Sequence, residues 1–450
     1  MPPSVHPVDE VLPLPKLVAL GLQHVLVMYA NAVAVPLILG GALHLPKDQI
    51  ALLINADLFA CGIATLIQTI GIGPVGIRLP IIMGVTAVAI SPMLAMAAMP
   101  GVGLPGIYGA VLVGGVFGLC AAPFIKYVLR FFPAVVTGTI ITMIGVVLMR
   151  VGVAWAGGGA AASDFGAAGY LSIAALVLAV ILLVIRFAKG FVQNMAVLIG
   201  IAAGYVATIA LGWTDFSGIQ SEPLLRIVLP LQFGLPEFTL VPCLTMCLVM
   251  TIVFIEATGM FLALGSMTGR QIGADDVKRG LRADAIGTII GALFNTFPYV
   301  SYSQNIGLVS VTGVYSRWVC VAGGIIMLAL GLLPKLAFIV ASVPPCVLGG
   351  AGFIMFGMVA ATGIKILSTV DFASQRNSVL VVAISIGFGL IPIVSPNFFR
   401  IFPDALKPIF GDGIILTSIS AVLLNAFFNR TSQAQAEADT LLAAQAAEHI

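Results

Sequence analysis

Glu256 is the ionisable side chain with the clearest chemical potential, because it stands in a long apolar stretch that reads IEATGM over residues 255–260. An ionisable group at the centre of a bilayer costs at least about 2.5–3.5 kcal/mol on insertion scales. A carboxylate kept despite this cost can accept two hydrogen bonds from ring N–H groups, or it can hold a proton. The alternative is a hydrogen bond that joins two packed helices. We expect Glu256 to take part in binding.

Three further ionisable residues stand in or beside apolar sequence. Asp284 is a candidate carrier of a coupling proton, or a cap of its helix at the membrane interface. His24 and Asp57 are more typical of structural hydrogen-bonding residues, although each keeps a functional alternative. Cys243 and Cys247 share a helical face, but no histidine or second cysteine pair accompanies them. We therefore expect no metal site and no cofactor.

A polar cluster, SYSQN at residues 301–305, interrupts another apolar run. Gln304 offers two donors and an acceptor, which suits the alternating N–H and C=O edge of a heterocycle. Asn305 can serve the substrate or hold the backbone in place. Amide side chains also join helices to one another. The position of the cluster, described below, favours binding for Gln304.

The composition defines the environment of these residues. Of the 450 residues, 60% are hydrophobic and 8% charged, and the mean hydropathy is +1.14. Ordinary soluble proteins are about 25% charged. The net charge of +2 offers no basic surplus for nucleic-acid binding. The sequence predicts an all-α polytopic membrane protein and excludes a soluble enzyme, a secreted disulfide scaffold and a disordered chain.

Turn and charge signals divide the apolar sequence into fourteen predicted spans. The longest connection, 214–238, separates a seven-span repeat over 17–213 from a second over 239–428. An odd number of spans in each half makes the second half enter the membrane in the opposite sense, the inverted repeat of many secondary transporters. The spans are 17–43, 49–71, 79–97, 104–124, 133–155, 169–187, 191–213, 239–265, 281–296, 299–314, 318–334, 338–363, 377–395 and 409–428.

The orientation follows from the positive-inside rule. If the N-terminus is cytoplasmic, fourteen of the 20 lysines and arginines fall on that side and six on the other. We predict a multi-pass protein of the plasma (inner) membrane with cytoplasmic segments 1–16 and 429–450 and an extracytoplasmic connection at 214–238.

The third and tenth predicted spans are short and interrupted by proline and glycine. Alignment on Pro80 and Pro298 sets Thr86 beside Gln304. Interrupted spans at matching places in two repeats indicate a substrate site near the middle of the membrane. Their freed backbone groups must be covered by protein or by a polar cavity.

The run QNIGLVSVTG at residues 304–313 resembles the signature of the nucleobase-ascorbate transporters, also called nucleobase:cation symporter-2. The other polar positions of that family are matched as well. The matching residues are the dipeptide at 23–24, which contains His24, Glu256 in the eighth span and Asp284 in the ninth. The resemblance covers essentially all fourteen spans. It implies a core domain (spans 1–4 and 8–11), a gate domain (spans 5–7 and 12–14), a homodimer and an elevator-like movement of the core.

The resemblance also implies a branch of the family. Gln304 with Asn305 is similar to the purine carriers, whereas the uracil branch has glutamate in the second place. Xanthine carriers commonly have aspartate where this chain has Met260, and the departure, like Thr86, resembles bacterial uric acid permeases. Ala87 stands where many members have a ring-stacking phenylalanine, which favours a wider pocket. We rank uric acid first and xanthine second.

The hypothesis is a symporter that imports a purine base together with protons, with no cofactor and no catalytic residue. Glu256 and Gln304 would hold the purine, with Asn305 contributing to affinity and selectivity. Asp284 and His24 would tune Glu256 and the proton step. The pocket would be shaped by Thr86, Ala87 and Ser303. The alternatives are an anion exchanger of the same inverted-repeat architecture, a channel and a membrane enzyme. The sequence offers no metal cluster or nucleophile–base pair for the enzyme.

Overall fold

The computed structural model describes residues 6–125, 127, 131–159, 162–373, 375–402 and 407–429. For residues 31, 303, 304, 306, 311, 407 and 408 it describes the backbone alone. The predicted tail at 430–450 lies outside the described residues.

The first half of the chain consists of helices and one short strand. The elements are α1 (Leu14–Ala42), α2 (Lys47–Ile70), β1 (Met83–Val85), α3 (Ile90–Ala97), α4 (Leu104–Ala121), α5 (Ala134–Ala156), α6 (Ala168–Phe187), α7 (Phe191–Asn194) and α8 (Ala196–Ala210). A turn of 3₁₀ helix, Ala87–Ala89, joins β1 to α3.

The second half repeats this succession from a long helix onward. Its elements are α9 (Leu240–Thr268), α10 (Ala274–Leu293), β2 (Tyr299–Ser301), α11 (Ser303–Thr312), α12 (Arg317–Gly331), α13 (Pro334–Ala341), α14 (Pro345–Leu367), α15 (Arg376–Val394), α16 (Lys407–Phe410) and α17 (Gly413–Phe428). Each half thus begins with a 29-residue helix and places a three-residue strand before a short helix.

Eight of the described helices are long and apolar enough to cross a membrane. A bent pair, α12 with α13 at 82°, makes nine if it counts as one span. The prediction of a polytopic helical membrane protein is therefore confirmed. Fourteen spans stay a prediction, because the other elements are shorter or, in α10, begin with charged residues.

Proline and glycine set many of the helix ends. Proline is compatible with the first turn of a helix but not with its interior, and a glycine with positive φ closes a helix without strain. The prolines before helices are Pro46, Pro133 and Pro344, and the glycines after helices are Gly71, Gly269 and Gly313.

Three predicted spans differ from the helices observed. The span 338–363 was wrong as one helix, because Pro344 and Pro345 separate α13 from α14. The span 281–296 begins earlier, at Ala274, where Asp276 accepts a hydrogen bond from the Gly273 N–H at 3.1 Å. The span 191–213 is broken between α7 and α8.

The two interrupted spans meet in an antiparallel strand pair, with Met83 opposite Ser301 and Val85 opposite Tyr299. Beyond the ladder, the Thr86 N–H donates to the Pro298 carbonyl at 2.9 Å, and the Tyr302 N–H donates to the Ile82 carbonyl at 3.0 Å. Each strand therefore satisfies backbone groups that the other has freed, as burial in a membrane protein requires.

The helices pack in two groups. In the first, α12 packs on α1 and α2, α4 packs on α9 and α10, α3 packs mainly on α1, and the strand pair lies among them. In the second, α5 packs on α14, α15 on α17, and α6 on both α8 and α14, with α7 in contact with α6 and α8. The division of the chain into a core and a gate domain remains a prediction.

The connection at 214–238 is tied back to the first group. The Lys47 ammonium donates to the Asp215 carboxylate at 2.9 Å, and this hydrogen bond holds the pKa of Asp215 well below its usual range. The Glu237 N–H donates to the Pro105 carbonyl at 3.0 Å. These bonds fix both ends of the connection on the same group of helices.

Candidate functional site

A cavity of about 340 Å³ lies between the two groups of helices. The first group contributes side chains from α1, the strand pair, the turn after β1 and α9, and the second group contributes α5, α7, α8 and α14. Its walls are mostly apolar. Cavities of this size and character are typical of small-ligand sites.

Glu256 is the one charged side chain among the described residues that line this cavity. It lies near the middle of α9, and residues before and after it on the helix are buried. Its carboxyl group can accept two hydrogen bonds from N–H groups of a ligand. The structure therefore places the carboxyl group predicted to bind substrate against a mostly apolar space.

Ala87 and Thr86 have different surroundings. Ala87 lines the cavity at the start of the 3₁₀ turn. Thr86 is fully buried, and its Oγ1 accepts a hydrogen bond from the Val88 N–H at 3.2 Å, so its side chain caps that turn. Of these two, Ala87 contacts the space directly and Thr86 supports the backbone beside it.

The tenth span reaches the cavity through the residues that flank Gln304. Val300, Tyr302 and Gly307 line the space. The backbone of α11 begins at Ser303, directly after the strand pair. The side chains of Ser303 and Gln304 lie outside the described residues, so their contacts stay predictions.

Asn305 and His24 are brought together by the fold. The Asn305 Nδ2 lies 2.8 Å from His24 Nδ1, and both side chains are buried. Asn305 Oδ1 has no hydrogen-bond partner among the side chains and backbone that the structure describes. The contact joins α11 to α1 beside the interrupted span, which is consistent with a role for Asn305 in holding the backbone.

Asp284 lies behind β2, away from the residues that line the cavity. Its Oδ1 accepts hydrogen bonds from Gln68 Nε2 at 2.9 Å and from Ser301 Oγ at 3.3 Å. Its Oδ2 has no hydrogen-bond partner within the described part of the chain. Asp284 on α10 and Glu256 on α9 belong to helices that pack against each other, although one side chain lines the cavity and the other does not.

Gln68 was missed by the sequence reasoning. Besides Asp284, its Nε2 donates to the Gly280 carbonyl at 3.2 Å, and its Oε1 accepts from the Ile77 N–H at 3.0 Å. The sequence signal was an uncharged amide within an apolar helix. Such an amide is explained by a hydrogen bond between packed helices as well as by a role in the site. Its importance appears only when α2 and α10 are seen side by side.

The wall formed by the second group of helices was also missed. It includes Phe132, Thr137 and Ile144 on the side of α5, and Phe356 and Thr362 on α14. These residue types are common on any membrane helix, so the sequence carries no signal for them. Among the described residues, no three His, Cys, Asp or Glu side chains are grouped as metal ligands.

Comparison with solved structures gives the class of the fold. The structure is similar to the transmembrane domain of the cyanobacterial bicarbonate transporter BicA, with a TM-score of 0.58, 16% identity, and coverage of 91% of this chain and 98% of that one. It is also similar to SLC26A9, with a TM-score of 0.57, 13% identity, and coverage of 92% and 66%. The fold is that of the inverted-repeat membrane transporters.

Comparison of sequences gives the family. Residues 15–398 match the model of a permease family. The chain is 51% identical to the uric acid transporter UacT of Escherichia coli over 94% of this chain and 88% of that protein. It is 41% identical to the xanthine permease of Bacillus subtilis, over 93% and 95%, and 42% identical to the uric acid permease PucJ of the same organism, over 92% and 93%.

The chain belongs to this permease family, within the purine branch of the nucleobase-ascorbate transporters. The resemblance predicted from the signature at 304–313 is thereby confirmed. The protein is a transporter and not an enzyme.

Proposed function

We propose that this protein imports a purine base, uric acid in first place and xanthine in second, by symport with protons. The observation that carries the proposal is the position of Glu256, which is the single charged group among the described residues of a mostly apolar cavity beside the pairing of two interrupted spans. The relatives named above, which include two uric acid carriers, support the choice of substrate.

The polar groups around the cavity suit a flat heterocycle. A purine presents N–H donors and carbonyl acceptors along its edges, and a carboxyl group can accept two of those N–H groups. Gln304 would add a donor and an acceptor from α11. The apolar walls contributed by Val88 and Phe356 would cover the ring faces. The binding energy would thus come from apolar contact, and the orientation from a few hydrogen bonds.

The proton has a physical reason in this site. Uric acid is a monoanion near neutral pH, so its approach to an ionised Glu256 in a low-dielectric cavity would be repulsive. A negative charge on Asp284, on the adjacent helix α10, would add to this repulsion. A proton taken up with the substrate would remove a negative charge from this set, and His24, whose Nδ1 lies 2.8 Å from Asn305 Nδ2, would tune the step.

Met260 supports the choice of uric acid over xanthine. It follows Glu256 by one helical turn and lines the cavity. An aspartate at this place, as in the xanthine carriers that the family resemblance describes, would add an acceptor where this chain offers a thioether. Ala87 also lines the cavity, and it leaves open the space that the ring-stacking phenylalanine of many family members would fill.

We assign the movement to an elevator-type mechanism, in which the first group of helices carries the site past the second. The cavity lies between the groups, so a relative shift would expose it to the other side of the membrane. Fourteen spans, cytoplasmic termini, a homodimer and location in the plasma membrane belong to the same proposal.

The experiment that tests the proposal is uptake of labelled uric acid by cells without their own purine carriers. Unlabelled xanthine, uracil and ascorbate serve as competitors, with and without a protonophore. We expect uptake that saturates, that collapses with the protonophore, and that xanthine inhibits while uracil does not. Absence of uric acid uptake would make xanthine the first candidate substrate and would show that Met260 does not indicate a uric acid carrier.

An anion exchanger is the second candidate, because the fold is shared with a bicarbonate transporter. Exchangers of small anions do not need a carboxyl group in the cavity, because an anion such as sulfate has no N–H donor for Glu256 to accept from, whereas a purine has several. Uptake of bicarbonate or sulfate without any uptake of purines would favour this candidate. Flux that does not saturate would indicate a channel instead.

A further inference from the structure

Asp57 is a buried carboxyl group that the proposed transport mechanism does not use. It lies on α2 and is 1% exposed. Its Oδ1 accepts hydrogen bonds from the Tyr299 hydroxyl at 2.8 Å and from the Thr296 hydroxyl at 2.9 Å. The Tyr299 hydroxyl also lies 3.1 Å from the Asp57 carbonyl oxygen. Asp57 thus binds a side chain of β2 and one of the segment before it.

Strand β2 has two faces with different roles. Side chains alternate between the faces of a strand. Val300, and Tyr302 directly after the strand, line the cavity, whereas Tyr299 and Ser301 project toward α2 and α10. Whatever holds Tyr299 and Ser301 therefore also sets the position of Val300 and Tyr302.

The two side chains on the hidden face are held by two different aspartates. Ser301 donates to Asp284, and Tyr299 donates to Asp57. The Tyr299 N–H also donates to Thr288 Oγ1 at 3.1 Å. The strand leads directly into α11, where Gln304 lies on the second residue. Loss of either aspartate would remove one of the two side-chain anchors on the hidden face of the strand, while the backbone bonds to β1 and Thr288 would remain.

We propose that Asp57 is a positioning residue for the substrate site, acting through Tyr299 to hold β2, and through β2 the start of α11, against the cavity. This assignment rests on the proposed function only for the identity of the substrate. It adds a residue on the second span to a site whose predicted members lie elsewhere.

The role requires a hydrogen-bond acceptor and not a negative charge. Among the described residues, no lysine or arginine forms an ion pair with Asp57, and its neighbours on α2, β2 and the segment before it are Cys61, Tyr299 and Thr296. Asparagine keeps the acceptor oxygen that both hydroxyl groups use. Leucine has a similar size and removes it.

The first test is transport kinetics of the full-length protein with labelled uric acid. Asp57→Leu and Tyr299→Phe should each raise KM by about three- to tenfold, the effect of a lost hydrogen bond, with Vmax changed by less than about twofold. Asp57→Asn should restore the wild-type KM. Tyr205→Phe is the matched control. Its hydroxyl donates a hydrogen bond of 2.9 Å to the Ile339 carbonyl, and neither residue lines the cavity.

The second test does not depend on the substrate. The second test uses a protein whose two unburied cysteines, Cys120 and Cys247, are replaced by serine. A cysteine is introduced by Val300→Cys, and the rate at which N-ethylmaleimide labels it is measured. Asp57→Leu should change that labelling rate severalfold, and Asp57→Asn should not. The rate at Val359→Cys, on the opposite wall, should stay constant.

Equal loss in the Asn and Leu variants would show that the charge is required and would overturn the assignment. Unchanged KM together with unchanged labelling at Val300→Cys would overturn it as well. If the wild-type protein transported no purine, the proposed function would fall, and the labelling comparison would still decide the role of Asp57.

Discussion

At the scale of single residues, the site separates two carboxyl groups by one strand. Glu256 lines the cavity, and Asp284 lies on the hidden face of β2 with Gln68 and Ser301. Both carboxyl groups lie on helices that pack against each other, α9 and α10. A ligand can contact the first group without displacing the hydrogen bonds of the second. This arrangement suits one group that binds and one that adjusts the charge of the site.

Replacement of Glu256 tests the first of these roles. Glu256→Gln keeps the size of the side chain but removes one acceptor and the site that can release and take up a proton. We expect uptake of uric acid to fall to background while the amount of folded protein in the membrane and its melting temperature stay unchanged. Size-exclusion chromatography and thermal unfolding provide the control, and wild-type uptake by the variant would defeat the assignment.

Met260 is also a question for single residues, because its replacement changes the chemistry of the cavity wall and leaves the helices in place. Met260→Asp should shift the competition profile toward xanthine, lowering the inhibition constant of xanthine relative to uric acid by about tenfold, the effect expected for one added charge-assisted hydrogen bond. Met260→Leu, which keeps the apolar character, serves as the control. An unchanged ratio in Met260→Asp would show that selectivity is set elsewhere.

At the scale of elements, the strand pair depends on close approach of a ring to a backbone. The Tyr302 hydroxyl donates to the Val85 carbonyl at 3.0 Å, so its ring crosses Gly84. A Cβ at Gly84 would lie 2.0 Å from the ring atom Cε2 of Tyr302. Glycine is therefore required there for steric reasons, although the residue lies in an ordinary strand.

This contact predicts the effect of one methyl group. Gly84→Ala should displace Tyr302, lower the free energy of unfolding by about 1–3 kcal/mol through overpacking, and reduce uptake more than the loss of folded protein explains. Gly41→Ala is the control, since a Cβ there meets no atom within 4 Å. Thermal unfolding and uptake normalised to protein would measure both effects. Normal uptake by Gly84→Ala would mean that Tyr302 does not shape the site.

The same elements show what the sequence can and cannot predict. The interruptions at Pro80 and Pro298 are readable because proline and glycine act locally on the backbone. The pairing of Met83 with Ser301, and the bonds of Gln68 to Gly280 and Asp284, join residues more than 200 positions apart in sequence. Such contacts depend on how whole helices pack. Glu256 could be recognised by its cost in a membrane, whereas Phe356 carries no comparable signal.

At the scale of the whole molecule, the two groups of helices meet beyond the cavity as well as around it. Ser91 on α3 donates to Asp412, which also caps α17 by accepting from the Ile415 N–H at 2.8 Å. On α5, Ala134 and Ile144 line the cavity, and Val147 lies further along the helix beside Gly413. The Ser91–Asp412 bond therefore joins the groups past one end of the cavity.

An elevator movement of the first group would have to break this bond in every cycle. A disulfide between Ser91→Cys and Asp412→Cys, formed in a protein with Cys120 and Cys247 replaced by serine, should abolish uptake, and a reductant should restore it. The control pair is Ser378→Cys with Asn429→Cys, whose native side chains lie 3.3 Å apart within the second group. Cross-linking there should leave uptake intact, because both residues belong to the same body. Full uptake with the Ser91–Asp412 positions cross-linked would show that the two groups do not move past each other at this contact, and transport would then require a smaller, local opening of the cavity.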